Sequence, residues 1–102
     1  RDGDSGHILE NIVYFELLRQ GYDVAIGKID NQEVDFIATK ADAKKYIQVT
    51  ENMKAPETRD RELAPLRKIR DNYEKLVIAL ECDLMQTQDG IRIQSVLDFL
   101  LK

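Results

Sequence analysis

The chain has 102 residues, 43% hydrophobic and 33% charged, with a net charge of −4. That length supports one packed core and not two, so residues 1–102 are expected to form a single soluble α/β or α+β domain. The acidic balance argues against holding nucleic acid by bulk electrostatics, which rests on Lys and Arg displacing phosphate counterions, and no apolar run approaches the roughly 18 residues needed to cross a bilayer.

The opening RDGDSGH lacks the apolar segment of a secretory signal. A lone cysteine, Cys82, excludes an internal disulfide and offers no Cys/His ligand spacing, so it is expected to be a packing residue in a reducing, cytoplasmic setting. The chain has no initiator methionine and a periodic pattern begins within its first ten residues. A domain belonging to a longer polypeptide is therefore expected.

From Gly6 to Gln20, Ile8, Leu9, Ile12, Val13, Phe15, Leu17 and Leu18 recur at helical spacing, and Gly21 stands where a helix C-terminal glycine belongs. Tyr22 to Ile29 alternates as a strand. Asp30-Asn31-Gln32 turns it back into a second strand, Glu33 to Thr39, and Lys40 to Lys44 turns again into a third, Lys45 to Thr50. Glu57 to Ala64 reads as a helix, with Pro65 opening a further short helix through Ile69 because it cannot sit inside one. Lys75 to Leu80, KLVIAL, has the near-continuous apolar character of a strand covered on both faces. Asp89-Gly90 is a turn, Ile91 to Gln94 a short strand, and Ser95 caps a last helix, Val96 to Leu101. The order α-β-β-β-α-β, with an added strand and helix, predicts a mixed sheet flanked by helices.

Strand alternation places Val34, Phe36 and Ala38 on one face of the second strand and Glu33, Asp35 and Ile37 on the other. In the third strand Ile47 and Val49 are the apolar set, leaving Tyr46, Gln48 and Thr50 opposite. Asp35, Gln48 and Thr50 then fall on one side of the hairpin, with Glu51 turned away. The first helix adds Glu10, a carboxylate in an otherwise apolar helix start that needs a partner or water. Glu10 and Asp35 could share a hard cation such as Mg²⁺, which takes oxygen ligands and keeps several waters, and which polarises a phosphate and activates water. Two plainer roles fit the same residues: Glu10 favoured by the helix dipole, and Asp35 hydrogen-bonding backbone near a hairpin end.

Glu10 on the first helix, EVDF around Asp35 and YIQVT around Gln48 resemble the PD-(D/E)xK, or restriction-endonuclease-like, fold. More closely, LENIVYFELLRQGYDVAIGKIDNQEVDFIATK, YIQVT and PLRKIRDNYEKLVIAL look like the C-terminal domain that follows the ATPase module in prokaryotic AAA-family ATP-binding proteins. The resemblance covers essentially the whole chain. It implies a restriction-endonuclease-like α/β core, with Glu10 and Asp35 in two acidic positions that hold Mg²⁺. It also implies a Glu-x-Lys on the third strand, where this chain has Gln48-Val49-Thr50. Gln48 keeps an amide oxygen but loses a charge at a cation site, and Thr50 cannot replace an ammonium, losses that commonly cost about 10²–10⁴-fold in rate. A migrated lysine could take the place of the missing one, with Lys54, Lys28 and Lys45 as candidates, though none has the Glu-x-Lys geometry.

The resemblance thus implies a catalytically degenerate nuclease-like accessory domain, with the upstream ATPase module of the same chain and DNA as partners and no membrane. An active Mg²⁺-dependent DNA nuclease and a structural or oligomerisation module are the alternatives. DNA contacts would fall on the basic stretch from Lys54 to Arg70, through Lys54, Arg67 and Lys68, which otherwise reads as a mixed solvated helix face. The glycines are scattered and no GxxxxGK[ST] loop is present, so ATP binding does not reside in these 102 residues.

Overall fold

The computed structural model describes residues 4–82 and 85–101, with side chains from residue 6. Its elements run α1 (Asp4–Arg19), β1 (Asp23–Ile29), β2 (Gln32–Lys40), β3 (Ala43–Asn52), α2 (Pro56–Arg67), β4 (Glu74–Glu81), β5 (Gln86–Gln88), β6 (Ile91–Ser95) and α3 (Val96–Leu100). The six strands form one open mixed sheet in the order β1-β2-β3-β4-β6-β5. β1, β2 and β3 make an antiparallel meander, β4 lies parallel to β3, β6 parallel to β4, and β5 closes the far edge antiparallel to β6. The expected α/β architecture, with α2 carrying the chain from β3 to a buried parallel strand, is present.

Local chemistry explains the connections. Gly21 takes a φ of +95°, which ends α1 at little steric cost, and the Lys40 ammonium donates to the Gln20 carbonyl at 2.7 Å, tying that helix end to β2. The two-residue hairpin turns Asp30-Asn31 and Asp89-Gly90 all have positive φ (52°, 64°, 55° and 78°), the geometry that matches the twist of the flanking strands. The Ser95 Oγ accepts from the Asp98 N–H at 3.0 Å, so the expected cap of the last helix is in place.

Helices cover both faces of the sheet. α1 and α3 enclose one apolar cluster with Leu9, Val13, Leu17, Phe36, Ile47, Val49, Ile78 and Phe99. α2 encloses the other with Val34, Tyr46, Leu63, Leu66, Val77 and Ile93, against which Cys82 packs. β3 and β4 are therefore central, buried from Tyr46 to Thr50 and from Leu76 to Ala79. No helix among the described residues is long and apolar enough to cross a membrane.

Three local expectations are corrected. Pro65 does not begin a new helix; it lies inside α2, which runs unbroken to Arg67. It forfeits its own N–H bond only two residues before that end, and the chain then tightens through Lys68 and Ile69 N–H bonds to the Pro65 and Leu66 carbonyls, both 3.3 Å. β5 was not expected, because a three-residue polar edge strand has no periodicity of its own and is defined by pairing with β6. Finally, Val34 does not share a face with Phe36 and Ala38: it packs in the α2-side cluster beside Ile37, while Phe36 and Ala38 pack beneath α1.

Candidate functional site

The change of face at Val34 comes from a β-bulge. Between the pairs Ala25↔Ile37 and Gly27↔Val34, β1 contributes one residue, Ile26, and β2 contributes two, Asp35 and Phe36. The extra residue lets Val34 and Ile37 point the same way and puts Asp35 at the kink. Bulges bend a strand and re-aim a side chain. On its other side β2 stops pairing with β3 at Phe36↔Ile47, so Asp35 and Gln48 meet where a regular ladder would have continued.

Side chains replace the missing ladder bonds. The Asp35 N–H donates to the Gln48 Oε1 at 3.0 Å, and the Asp35 Oδ2 accepts from the Val49 N–H at 2.8 Å. The Gln48 Nε2 in turn donates to the Glu62 carbonyl of α2 at 3.4 Å. Gln48 is 5% exposed, so its amide acts as a buried bridge from β2 through β3 to α2. The plainer role anticipated for Asp35, hydrogen-bonding backbone near a hairpin, is thus realised.

Glu10 of α1, Asp35 and Gln48 line one cleft of about 450 Å³, together with Lys28 and Glu33 from the β1–β2 hairpin. Glu10 is partly exposed, with the His7 Nδ1 3.9 Å from its Oε1. Thr50 is not part of this cleft. It is 5% exposed, its Oγ1 donates to the Asn52 carbonyl at 3.4 Å, and it lines a separate depression with Thr58 and Arg61 of α2. The structure therefore gathers three of the four residues singled out from sequence and sets the fourth apart.

Of the lysines considered as replacements, Lys28 alone lines the cleft. Lys45 lies 3.8 Å from Glu74 and over the Tyr22 ring, and Lys54 is paired with Glu81 at 3.1 Å. Lys28 forms no ion pair among the described residues. Arg67 is likewise engaged, with its Nε 2.8 Å from the Asp89 Oδ2, whereas Lys68 is exposed and forms no ion pair among the described residues.

As to a metal, no group of three or more His, Cys, Asp or Glu side chains converges among the described residues. Glu10, Asp35 and Glu33 line the cleft without converging as a group, and Glu10 and Asp35 are the pair singled out from sequence. Mg²⁺ is commonly held by one or two carboxylates together with water and substrate phosphate oxygens, so this donor set suits that ion in kind, with one charge fewer than a third carboxylate would give.

Two features were missed from sequence. Glu62 is 1% exposed on the sheet-facing side of α2, with its Oε2 3.8 Å from the Arg61 Nε. Its spacing of four from Leu66 was the available signal. The second is a Tyr46–Asp71–Lys75 cluster. The buried Tyr46 hydroxyl donates to the Asp71 Oδ2, and the Lys75 ammonium lies 3.2 Å from the Oδ1. Burial, then the Asp71 hydrogen bond, pushes the Tyr46 hydroxyl well above its ordinary pKa. Asp71 is held below the usual carboxylate value, burial working against the Tyr46, Tyr73 N–H and Lys75 contacts that lower it. No local pattern links Tyr46 to a residue 25 positions away.

No family model matches the chain. A Haemophilus influenzae (strain Rd) protein described as "Uncharacterized protein" is 46% identical over 94 residues, which cover 92% of this chain and 23% of that protein. The chain thus spans about a quarter of the length of the curated relative it matches.

Proposed function

We propose that the chain is a restriction-endonuclease-like, PD-(D/E)xK-type domain that has lost cleavage and serves as an accessory module of a larger prokaryotic AAA-family ATPase in the cytoplasm, with DNA as a partner. The observation that carries this reading is the Gln48 amide. At the position where an active member would place a metal-binding carboxylate, its oxygen accepts from Asp35 and its nitrogen donates to α2. The group is committed to holding the bulge. The second vacancy of charge, Thr50, is turned into another depression. A cation held by Glu10 and Asp35 would lack the Glu and the Lys of a third-strand Glu-x-Lys, with Lys28 lining the cleft from another strand, leaving phosphate binding without efficient activation of water. The element order α1-β1-β2-β3-α2-β4 agrees with the core expected of the fold. The much greater length of the Haemophilus relative is compatible with a module of a larger protein.

Incubation of the protein with plasmid and branched DNA in Mg²⁺ or Mn²⁺ tests this. No cleavage above an Asp35→Ala control is expected. Metal-dependent cleavage that disappears in both Asp35→Ala and Lys28→Ala would replace the degenerate reading with an active nuclease using Lys28 as its ammonium.

One observation favours a second reading, a contact or oligomerisation module. The outer side of α1 exposes Ile8, Ile12, Phe15 and Leu18 at 58%, 40%, 64% and 41%. Spaced at i, i+4, i+7 and i+10, they give the helix an apolar stripe on its solvent side as well as its core side, a pattern typical of a helix covered on both sides.

A further inference from the structure

Beyond the cleft, the N-terminal ends of β3 and β4 and the chain leaving α2 carry a second surface of different character. Two adjoining depressions meet at Arg67, Ile69 and Asp71, one reaching Lys68 and Arg70, the other Tyr73 and Lys75. The carboxylates lining them are already committed. Asp89 is paired with Arg67 at 2.8 Å, and Asp71 accepts from Tyr46, from the Tyr73 N–H at 3.0 Å and from Lys75. Lys44, Lys68 and Arg70 form no ion pair among the described residues. A locally positive groove therefore stands out on a chain whose net charge is −4.

An aromatic ring sits within it. Tyr73 is 46% exposed, and its ring meets that of Tyr46 edge-on, with centroids 6.5 Å apart and planes at 72°. Tyr46 is itself buried and hydrogen-bonded to Asp71, so the exposed ring is braced against a rigid partner. The Lys44 ammonium lies 5.1 Å from the Tyr73 centroid. A braced, half-exposed ring beside unpaired cations suits a ligand that alternates flat apolar faces with negative charges. A nucleic-acid strand has that character, and only an unpaired base presents its face to a ring.

We propose that this groove binds single-stranded nucleic acid, with a base stacked on Tyr73 and phosphates met by Lys44, Lys68 and Arg70. The assignment does not rest on the nuclease-like reading. It also relocates the cationic contacts expected from sequence: Arg67 and Lys54 are neutralised by Asp89 and Glu81, and the charges available to phosphate are their neighbours.

Anisotropy titrations of the protein with a fluorescent 15-nucleotide oligo-dT, a duplex of equal length and a poly-glutamate peptide decide it. Expected are preference for the single strand and a slope of about −2 for log K against log salt, from three phosphate contacts on a single strand. Tyr73→Ala should weaken binding roughly 5- to 100-fold at unchanged slope, and Tyr73→Phe should retain it. The double variant Lys68→Ala/Arg70→Ala should flatten the slope to about −0.7. Absence of oligo-dT binding at 50 mM salt, equal binding of poly-glutamate, preference for the duplex, or indifference to Tyr73→Ala in a variant with unchanged circular dichroism would each overturn the proposal.

Discussion

Asp35 and Gln48 face each other across the gap where β2 leaves β3, the Asp35 N–H donating to the Gln48 side chain at 3.0 Å and the Asp35 carboxylate accepting from the neighbouring Val49 N–H at 2.8 Å. The pair holds the bulge open and so shapes the cleft in which Glu10 and Lys28 also stand. Local stability and candidate chemistry here depend on the same atoms.

Gln48→Ala would remove the side-chain bonds to the Asp35 N–H and to the Glu62 carbonyl. A typical hydrogen bond contributes about 0.5–1.5 kcal/mol net, so the variant should lose about 1–3 kcal/mol in urea denaturation. Gln48→Glu should behave differently. It can still accept from Asp35 but meets the Glu62 carbonyl and a second carboxylate, so it should be less stable without metal and gain more from Mg²⁺ than the native chain does. Thermal midpoints with and without Mg²⁺ measure both effects, and equal midpoint shifts for the two proteins would count against a cation site in the cleft.

Glu16 supplies the pH dependence. Hydrogen bonds from Arg19 first and from Gln20 next hold its carboxyl down to about 2, against a small opposing effect of burial. A folded-state value below the unfolded one of 4.5 means that the contribution is complete above pH 4.5 and fades as pH falls towards 2. Glu16→Gln should therefore flatten the stability profile between pH 4.5 and 2, measured by denaturant midpoints across that window. A profile parallel to that of the native protein would show that Glu16 titrates normally.

The apolar stripe on α1 should tolerate polar substitution in the isolated chain. Phe15 is 64% exposed, so Phe15→Ser should change stability by no more than about 0.5 kcal/mol, as is usual for surface positions. If the stripe mediates self-contact, sedimentation at rising concentration should show association in the native chain and a weaker tendency in Phe15→Ser. Loss of several kcal/mol instead would mean that Phe15 packs within the domain.

Ser95→Ala removes the acceptor for the Asp98 N–H at the start of a five-residue helix. A cap of this kind contributes about 1 kcal/mol. Hydrogen exchange at Asp98 should accelerate, and the buried amides of β4 should speed up by no more than the roughly fivefold that a loss of about 1 kcal/mol in global stability allows.

Much of the architecture was legible because it is local. The i, i+3, i+4 recurrence from Ile8 to Leu18 marks α1, Asp30-Asn31 and Asp89-Gly90 mark tight turns, and KLVIAL marks a strand covered on both faces. Glu10, Asp35 and Gln48 could be grouped by residue type and by likeness to a known pattern. The cleft that joins them could not be read with the same detail. Strict alternation placed Val34 with Phe36, and a one-residue bulge reversed it. Neither the extra residue nor its position is encoded in hydrophobic period, because the pattern VDFIA suits both the regular and the bulged strand.

Sequence alone determined the types and order of the principal elements, though not the edge strand β5 or the unbroken run of α2 through Pro65, and the absence of a phosphate loop within these residues, since propensity, periodicity and turn chemistry act over a few neighbouring positions. Tertiary structure decided the rest. It placed Lys28, rather than Lys45 or Lys54, beside Glu10 and Asp35; it separated Thr50 from them; and among the described residues it left Lys44, Lys68 and Arg70 without an ion pair while Arg67 found Asp89. The reason is distance along the chain. Which charge meets which partner depends on strand register, a bulge and the docking of α2 across the sheet, and those are set by packing between segments that no local pattern connects.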